Sequence, residues 1–194
     1  MSPTLHAKRP GRLRTAVIAT AVALLTAVAV PASAATANQL NLTMQSQQYS
    51  NWCWAASGNT VAAFYGYNYS QNQFCDMAFG NSLNAPCSNS QASLADDQNA
   101  FQQIGISPGN YVTGYLYYSS IIREIDAGRP VMARIQWSSG GGHMEVLYGY
   151  DQSRGWVYWG DPWPSDNRYN WGSYNYYVSN GSFSWTHSLD YIGA

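Results

Sequence analysis

Lysine is nearly missing from this 194-residue chain: the single one stands at position 8. Only 10% of the residues are charged, against about 25% in an ordinary globular domain. Beyond residue 34, five arginines face ten acids, a net charge near −5. That balance excludes nucleic acid and anionic membrane surfaces as expected partners, since both are held by basic patches. Long hydrophobic runs are also scarce. One uncharged stretch runs from Thr15 to Val30, 16 residues, short of the ~20 that a spanning helix needs. No second one follows, so no stable membrane association is expected. Internal repeats and long linkers are absent, and about 160 residues after the first 34 suit one domain with a proper core.

The N-terminal stretch reads as a targeting segment. Lys8, Arg9, Arg12 and Arg14 form a basic region, the apolar run follows, and Ala32-Ser33-Ala34 is a small-x-small cleavage signature. Residues 1–34 are therefore expected to be a secretory signal peptide, with the domain over 35–194 acting outside the cell.

Three cysteines divide two plus one. Cys75 and Cys87 flank a polar loop of about a dozen residues and can close it where the compartment is oxidising. Pairing of Cys53 with either remains open on the sequence alone, although it would disable the chemistry below. Left unpaired, Cys53 is the odd thiol of an exported protein, which marks an intermolecular bridge or a reactive group.

Hydrophobic spacing predicts helices over 54–65, 91–104 and 119–127, the first capped by Asn51 and the second stopped by Gly105. Ser119 or Ser120 is expected to cap the third, with Ile121, Ile122 and Ile125 facing inward. The Gly-, Asn- and Tyr-rich segment to about residue 89 reads as loop. From Pro130 the texture turns to strands over 131–137, 143–150 and 156–159, with further alternating aromatic segments over 168–178 and 181–185. Helices first and a mostly antiparallel sheet second make an α+β pattern.

Cys53 stands at the start of the first predicted helix. A thiol attacks well only as thiolate, a form favoured by a helix N-terminus and by a nearby imidazolium. His143, after three glycines that permit close approach of a strand entrance, is the best imidazole, with His187 as fallback. Asp161 follows 18 residues later in Trp159-Gly-Asp-Pro-Trp163. A hairpin of that length can return its carboxylate to the ring and fix the tautomer. Asp151 and Asp166 are weaker candidates. Gln47, six residues before the thiol, is the expected oxyanion donor beside the Cys53 N–H, with Gln45 and Gln48 competing. Glu145 should share a strand face with His143, either lining the cleft or reaching solvent.

Gln47-x5-Cys53-Trp54-Ala55, the Gly142-His143 strand ending Gly149-Tyr150, and the Trp159–Trp163 run resemble the papain-like cysteine protease superfamily. The resemblance is closest to its compact bacterial branches, the avirulence-type effector proteases and bacteriocin leader peptidases. It implies an N-terminal helical half packed on a C-terminal sheet half, with Cys53 facing His143 across the cleft between them. It also implies acyl transfer to Cys53 from a protein or peptide substrate, without metal or organic cofactor, by a monomer. Two departures stand out. Papain carries asparagine where Asp161 stands, and its plant and animal relatives carry a long inhibitory proregion for which residues 35–51 leave no room. Restraint would then come from export, narrow specificity or an inhibitor protein. Other expectations compete: cysteine-dependent acyl transfer by a cell-wall amidase or transglutaminase-like enzyme, or a non-catalytic aromatic-rich module that binds carbohydrate.

Overall fold

The first segment of the sheet comes from the polar lead-in, where strand β1 spans Ala37–Gln39. The structure, a computed structural model, describes Met1 and residues 36–194; the signal-peptide expectation lies outside the described residues. Helix α1 (Cys53–Phe64), α2 (Gln71–Phe79) and α3 (Leu94–Ile104) follow, then β2 (Asn110–Thr113) and α4 (Tyr118–Asp126). The chain continues through β3 (Val131–Trp137), β4 (Gly142–Asp151), β5 (Trp156–Gly160), β6 (Tyr169–Ser173), α5 (Tyr174–Val178) and β7 (Phe183–Asp190). All strand pairings are antiparallel, in the order β2-β7-β3-β4-β5-β6, with β1 added to β4. The fold is α+β, helices packed on a seven-stranded sheet. No helix among the described residues is long and apolar enough to cross a membrane.

Strand alternation explains why both sheet faces are covered. On β3, Met132 joins the cluster under α1–α3, with Trp54, Phe74 and Phe101, while Val131, Ala133 and Ile135 point the other way. That second cluster takes Ile121 and Ile125 from α4, and Trp159, Tyr177 and Trp185 from the aromatic-rich C-terminal third. The Tyr177 ring lies tilted against Trp159, with centroids 4.8 Å apart, and edge-on to Trp185 at 5.3 Å. The aromatic tail is thus divided: Trp159, Tyr177, Phe183 and Trp185 are core, while Trp163, Tyr169, Trp171 and Tyr176 remain exposed.

Four local expectations are corrected. Asn51 does not cap α1: Trp52 holds the cap position without a side-chain bond, and the Asn51 amide donates instead to the Asn89 carbonyl. Neither Ser119 nor Ser120 caps α4, because Tyr117 occupies that position, although Ile121, Ile122 and Ile125 do all face the second core cluster. Residues 71–79 are helix rather than loop. Ser70 and Gln73 form a reciprocal capping box, and Gly80 closes the end in the left-handed conformation at φ +68°. Within 168–178, the chain leaves β6 after Ser173, whose side chain accepts from the Tyr176 N–H and starts α5. The second predicted helix stands, starting at the Ser93–Asp96 capping box and ending at Gly105.

Gly58, inside α1, is a packing necessity. A Cβ there would stand 2.4 Å from the Phe74 ring and 2.7 Å from Asp97 Oδ1, so α1 meets α2 and α3 backbone-close. Burial pushes Asp97 well above the usual carboxylate range, with Cys53 and Asp96 adding to it.

Candidate active site

The first turn of α1 is held from both sides. Trp52 and Trp54, flanking Cys53, donate their indole N–H groups to the carbonyls of Ser88 and Ser90 at 2.9 and 3.0 Å. Those carbonyls follow Cys87, which is disulfide-bonded to Cys75 on α2 with a Cα separation of 6.2 Å. Cys53 is the free thiol. One turn further, the Ser57 hydroxyl donates to the Met144 carbonyl at 2.9 Å. That buried bond ties the cysteine helix to the residue after His143.

His143 enters β4 buried, 6% exposed. Its Nε2 lies 2.8 Å from Asp161 Oδ1, which leaves Nδ1 for the Cys53 thiol, within hydrogen-bonding reach of the ring. Asp161 Oδ1 also accepts from the Trp163 N–H at 2.8 Å, and the Asp161 carbonyl accepts from Arg168. The ring of Trp137 lies nearly parallel to His143 at 6.1 Å, and Trp163 stands edge-on at 6.3 Å. Burial works against a charged imidazole here. Hydrogen bonding to Asp161 and Cys53, together with the electrostatic pull of Cys53 and Glu145, outweighs it and pushes His143 up to about 10. The ring therefore stays protonated across neutral pH.

A cleft of about 330 Å³ opens over the pair. Cys53, Trp54 and the 50–51 turn line its helical side, with Gln91 and Ala92 from the approach to α3. Arg134, Trp137, Gly142 and Met144 line the sheet side, and Trp163 and Asp166 come from the β5–β6 loop.

The other anticipated residues fall differently. Gln47 is buried, yet its Nε2 donates to the carbonyls of Tyr49 and Ser50 at 2.9 and 3.0 Å. Its Oε1 has no protein partner. Exchanging the amide N and O would set an acceptor against two carbonyl oxygens, so the orientation stands, and both amide protons are committed. The Gln47 N–H donates to the Pro162 carbonyl at 2.8 Å, joining this segment to the Asp161 turn. Gln45 and Gln48 bond into the Gln71 network away from the cleft. His187 is on β7 beside Tyr111, Asp151 closes a turn onto Ser153, and neither lines the cleft. Asp166 does, from an exposed loop position.

Glu145 reaches neither solvent nor the cleft: it points into the second core cluster, toward Tyr177. It is buried, accepts from the Tyr177 hydroxyl at 2.7 Å, and is pushed up to about 8, desolvation being the main cause. Donor atoms of His143, Glu145 and Asp161 lie within 4.8 Å of one another, but each is already committed to a protein partner. Sequence reasoning did not single out Arg134. The signal was a lone charge in the otherwise apolar start of a strand, Val131-Met-Ala-Arg-Ile135.

The comparisons agree with this architecture. The family model described as papain-like cysteine protease AvrRpt2 matches residues 35–181. No curated protein sequence matches the chain significantly. Among solved structures, the peptidase domain of Streptococcus ComA, a bifunctional ABC transporter of a quorum-sensing pathway, superposes with a TM-score of 0.60 at 16% identity. The match covers 79% of this chain and 98% of that one. A double-glycine-motif protease from an AMS/PCAT transporter, solved with its leader peptide, gives 0.52 at 16% identity, covering 78% and 92%. At such identities the likeness concerns the fold.

Proposed function

Because this chain belongs to the AvrRpt2 family of papain-like cysteine proteases and is a cysteine peptidase, we propose that Cys53, His143 and Asp161 are its catalytic residues. The observation that carries this is His143 itself, bonded through Nε2 to Asp161 and within reach of the Cys53 thiol at the floor of the cleft. Cys53 Sγ attacks the peptide carbonyl carbon, and the carbonyl π pair moves to oxygen. The Cys53 N–H, one of the donors left unpaired at a helix start, meets the oxyanion. Gln47 is the proposed second donor, releasing the Tyr49 or Ser50 carbonyl as substrate enters. His143 Nδ1–H protonates the leaving amine as the C–N bond breaks, leaving an acyl-enzyme. His143 then takes a proton from water, which attacks the thioester and frees the acid. Asp161 holds the ring and stabilises its charge throughout.

Secretion belongs to the same reading, supported by the N-terminal targeting pattern and by a disulfide that suits an oxidising compartment. The proposed substrate is a protein or peptide cut by a monomer outside the cell, with an inhibitor protein as a candidate partner.

The test is parallel incubation with casein, purified peptidoglycan and an amine acceptor, alongside intact-mass analysis after an epoxide-type cysteine inactivator. Casein cleavage and one adduct on Cys53, both lost in Cys53→Ala with folding retained, are expected. Peptidoglycan or amine-transfer products without proteolysis would move the protein to another acyl-transfer class. Equal labelling of native and denatured protein would overturn the nucleophile assignment.

A further inference from the structure

The cleft floor carries a guanidinium that the acyl-transfer chemistry does not use. Arg134, in the middle of β3, is half-buried and lines the same cleft as Cys53 and His143. Arg123, Arg129 and Arg154 each pair with a carboxylate of Glu124 or Asp151. Arg134 instead gives Nη1 to Thr186 Oγ1 at 2.8 Å and Nη2 to Gln136 Oε1 at 2.9 Å. Two neutral oxygens fix the plane of the group without neutralising its charge. Of the five N–H donors of a guanidinium, these bonds leave others free for an anion.

The neighbouring backbone makes room for this arrangement. A Cβ on Gly142 would stand 2.6 Å from Arg134 Nη2 and 2.8 Å from Cζ. The residue before His143 is therefore bare where the guanidinium lies across it. The sheet order then separates two charges. β3, with Arg134, flanks β4 on one side; β5 flanks it on the other and leads into the loop that carries Asp166 to the cleft. A peptide crossing His143 would have a fixed cation on one side of the scissile bond and an anion on the other.

We propose that Arg134 is a specificity-determining residue, selecting substrates with a Glu or Asp side chain close to the scissile bond on the side that crosses β3. The proposal rests on the peptidase reading above. A carboxylate arriving on a half-buried, pre-oriented guanidinium that has no carboxylate partner among the described residues forms a charge-assisted, potentially bidentate pair. Loss of such a bond typically changes kcat/KM by roughly 10- to 100-fold.

A cleavage site mapped from the casein digest supplies the parent peptide, made with blocked termini. Glu, Gln or Lys is placed singly at each of three positions on either side of the cut. At one position Glu should exceed Lys by roughly 10- to 100-fold in kcat/KM, with Gln between. Arg134→Glu should reverse that order and Arg134→Lys should keep it. Should Arg134→Glu fail to fold by near-ultraviolet circular dichroism, Arg134→Met serves, with the Glu preference over Gln expected to vanish. An unchanged Glu-to-Lys ratio in the variant, or no discriminating position in the natural protein, overturns the assignment. So does a preference seen only in a parallel set with free C-termini, since that would identify a terminal carboxylate rather than a side chain. If the protein cleaves no casein and Cys53 takes no inactivator, the peptidase reading fails first and this inference falls with it.

Discussion

A histidine buried between two tryptophans would ordinarily lose its proton, because desolvation disfavours the charged ring. His143 keeps it because Asp161 holds Nε2 at 2.8 Å and the thiol lies on the other side. The folded value of about 10 exceeds the ordinary 6.5, so the stabilisation is full below about 6.5 and is lost as pH rises through about 10. Asp161→Asn should therefore move the alkaline limb of the kcat/KM profile downward by at least about one unit. A drop in kcat of roughly 100-fold should accompany it, checked by pH–rate measurements on folded variant. Glu145 gives a second residue-scale test. Its folded value of about 8 lies above the ordinary 4.5, so the protonated acid favours the folded state at low pH. That contribution is lost as pH climbs from about 4.5 to about 8. Glu145→Gln retains an acceptor for Tyr177 and removes the titration. Its stability relative to the natural protein should rise over that interval by up to roughly 4 kcal/mol, read as ΔG of unfolding against pH.

Among the elements, α1 depends on a support that is not part of it. The Cys75–Cys87 bond anchors the 88–90 segment on α2, and the carbonyls of that segment hold the indoles of Trp52 and Trp54. Replacing both cysteines with serine should lower stability by about 3 kcal/mol, as expected for a 12-residue separation. It should also slow epoxide labelling of Cys53 at temperatures where the variant remains folded. Labelling at the natural rate would mean that the 88–90 segment holds its place without the bond. Helix α2 itself shows how an element escapes pattern reading. Gln71, Asn72 and Gln73 make its first turn polar, and Phe74, Cys75, Met77, Ala78 and Phe79 crowd around Asp76 in the remainder, too short a span to announce a stripe. Its legible signals were local: Ser70 with Gln73 at one end and Gly80 at the other. The start of α1 failed for a related reason. Asn51 has the right chemistry for a cap, but Asn89, brought close by the disulfide loop, competes for it.

Across the whole molecule, β4 belongs to two cores. Met144 and Val146 pack under α1–α3, while Leu147 and Tyr150 pack with α4 and the C-terminal aromatics. A register shift between Leu147 and Gly149 lets residues three apart share the second face. Because one strand serves both clusters, neither half has a separate core to melt alone. Residues 35–194 should unfold in a single transition, with near- and far-ultraviolet circular dichroism and tryptophan fluorescence coinciding. Two separated midpoints would show that the halves are independent.

Much of the candidate site was legible before any coordinates. Cys53 and His143 are rare chemical types here, one of three cysteines and one of three histidines. Asp161 is marked by its Trp-Gly-Asp-Pro-Trp setting, and the motifs set the three at a helix start, a strand entrance and a turn. Strands β3 to β5 were legible too, because alternation and bounding glycines are short-range signals. Direction, pairing and occupancy were decided only by the tertiary structure. Packing turned Glu145 toward Tyr177, committed the Gln47 amide to the turn that precedes Cys53, and laid Arg134 across the bare backbone of Gly142. Each of these depends on which distant group arrives at hydrogen-bonding distance, and no local pattern in the chain encodes that arrival.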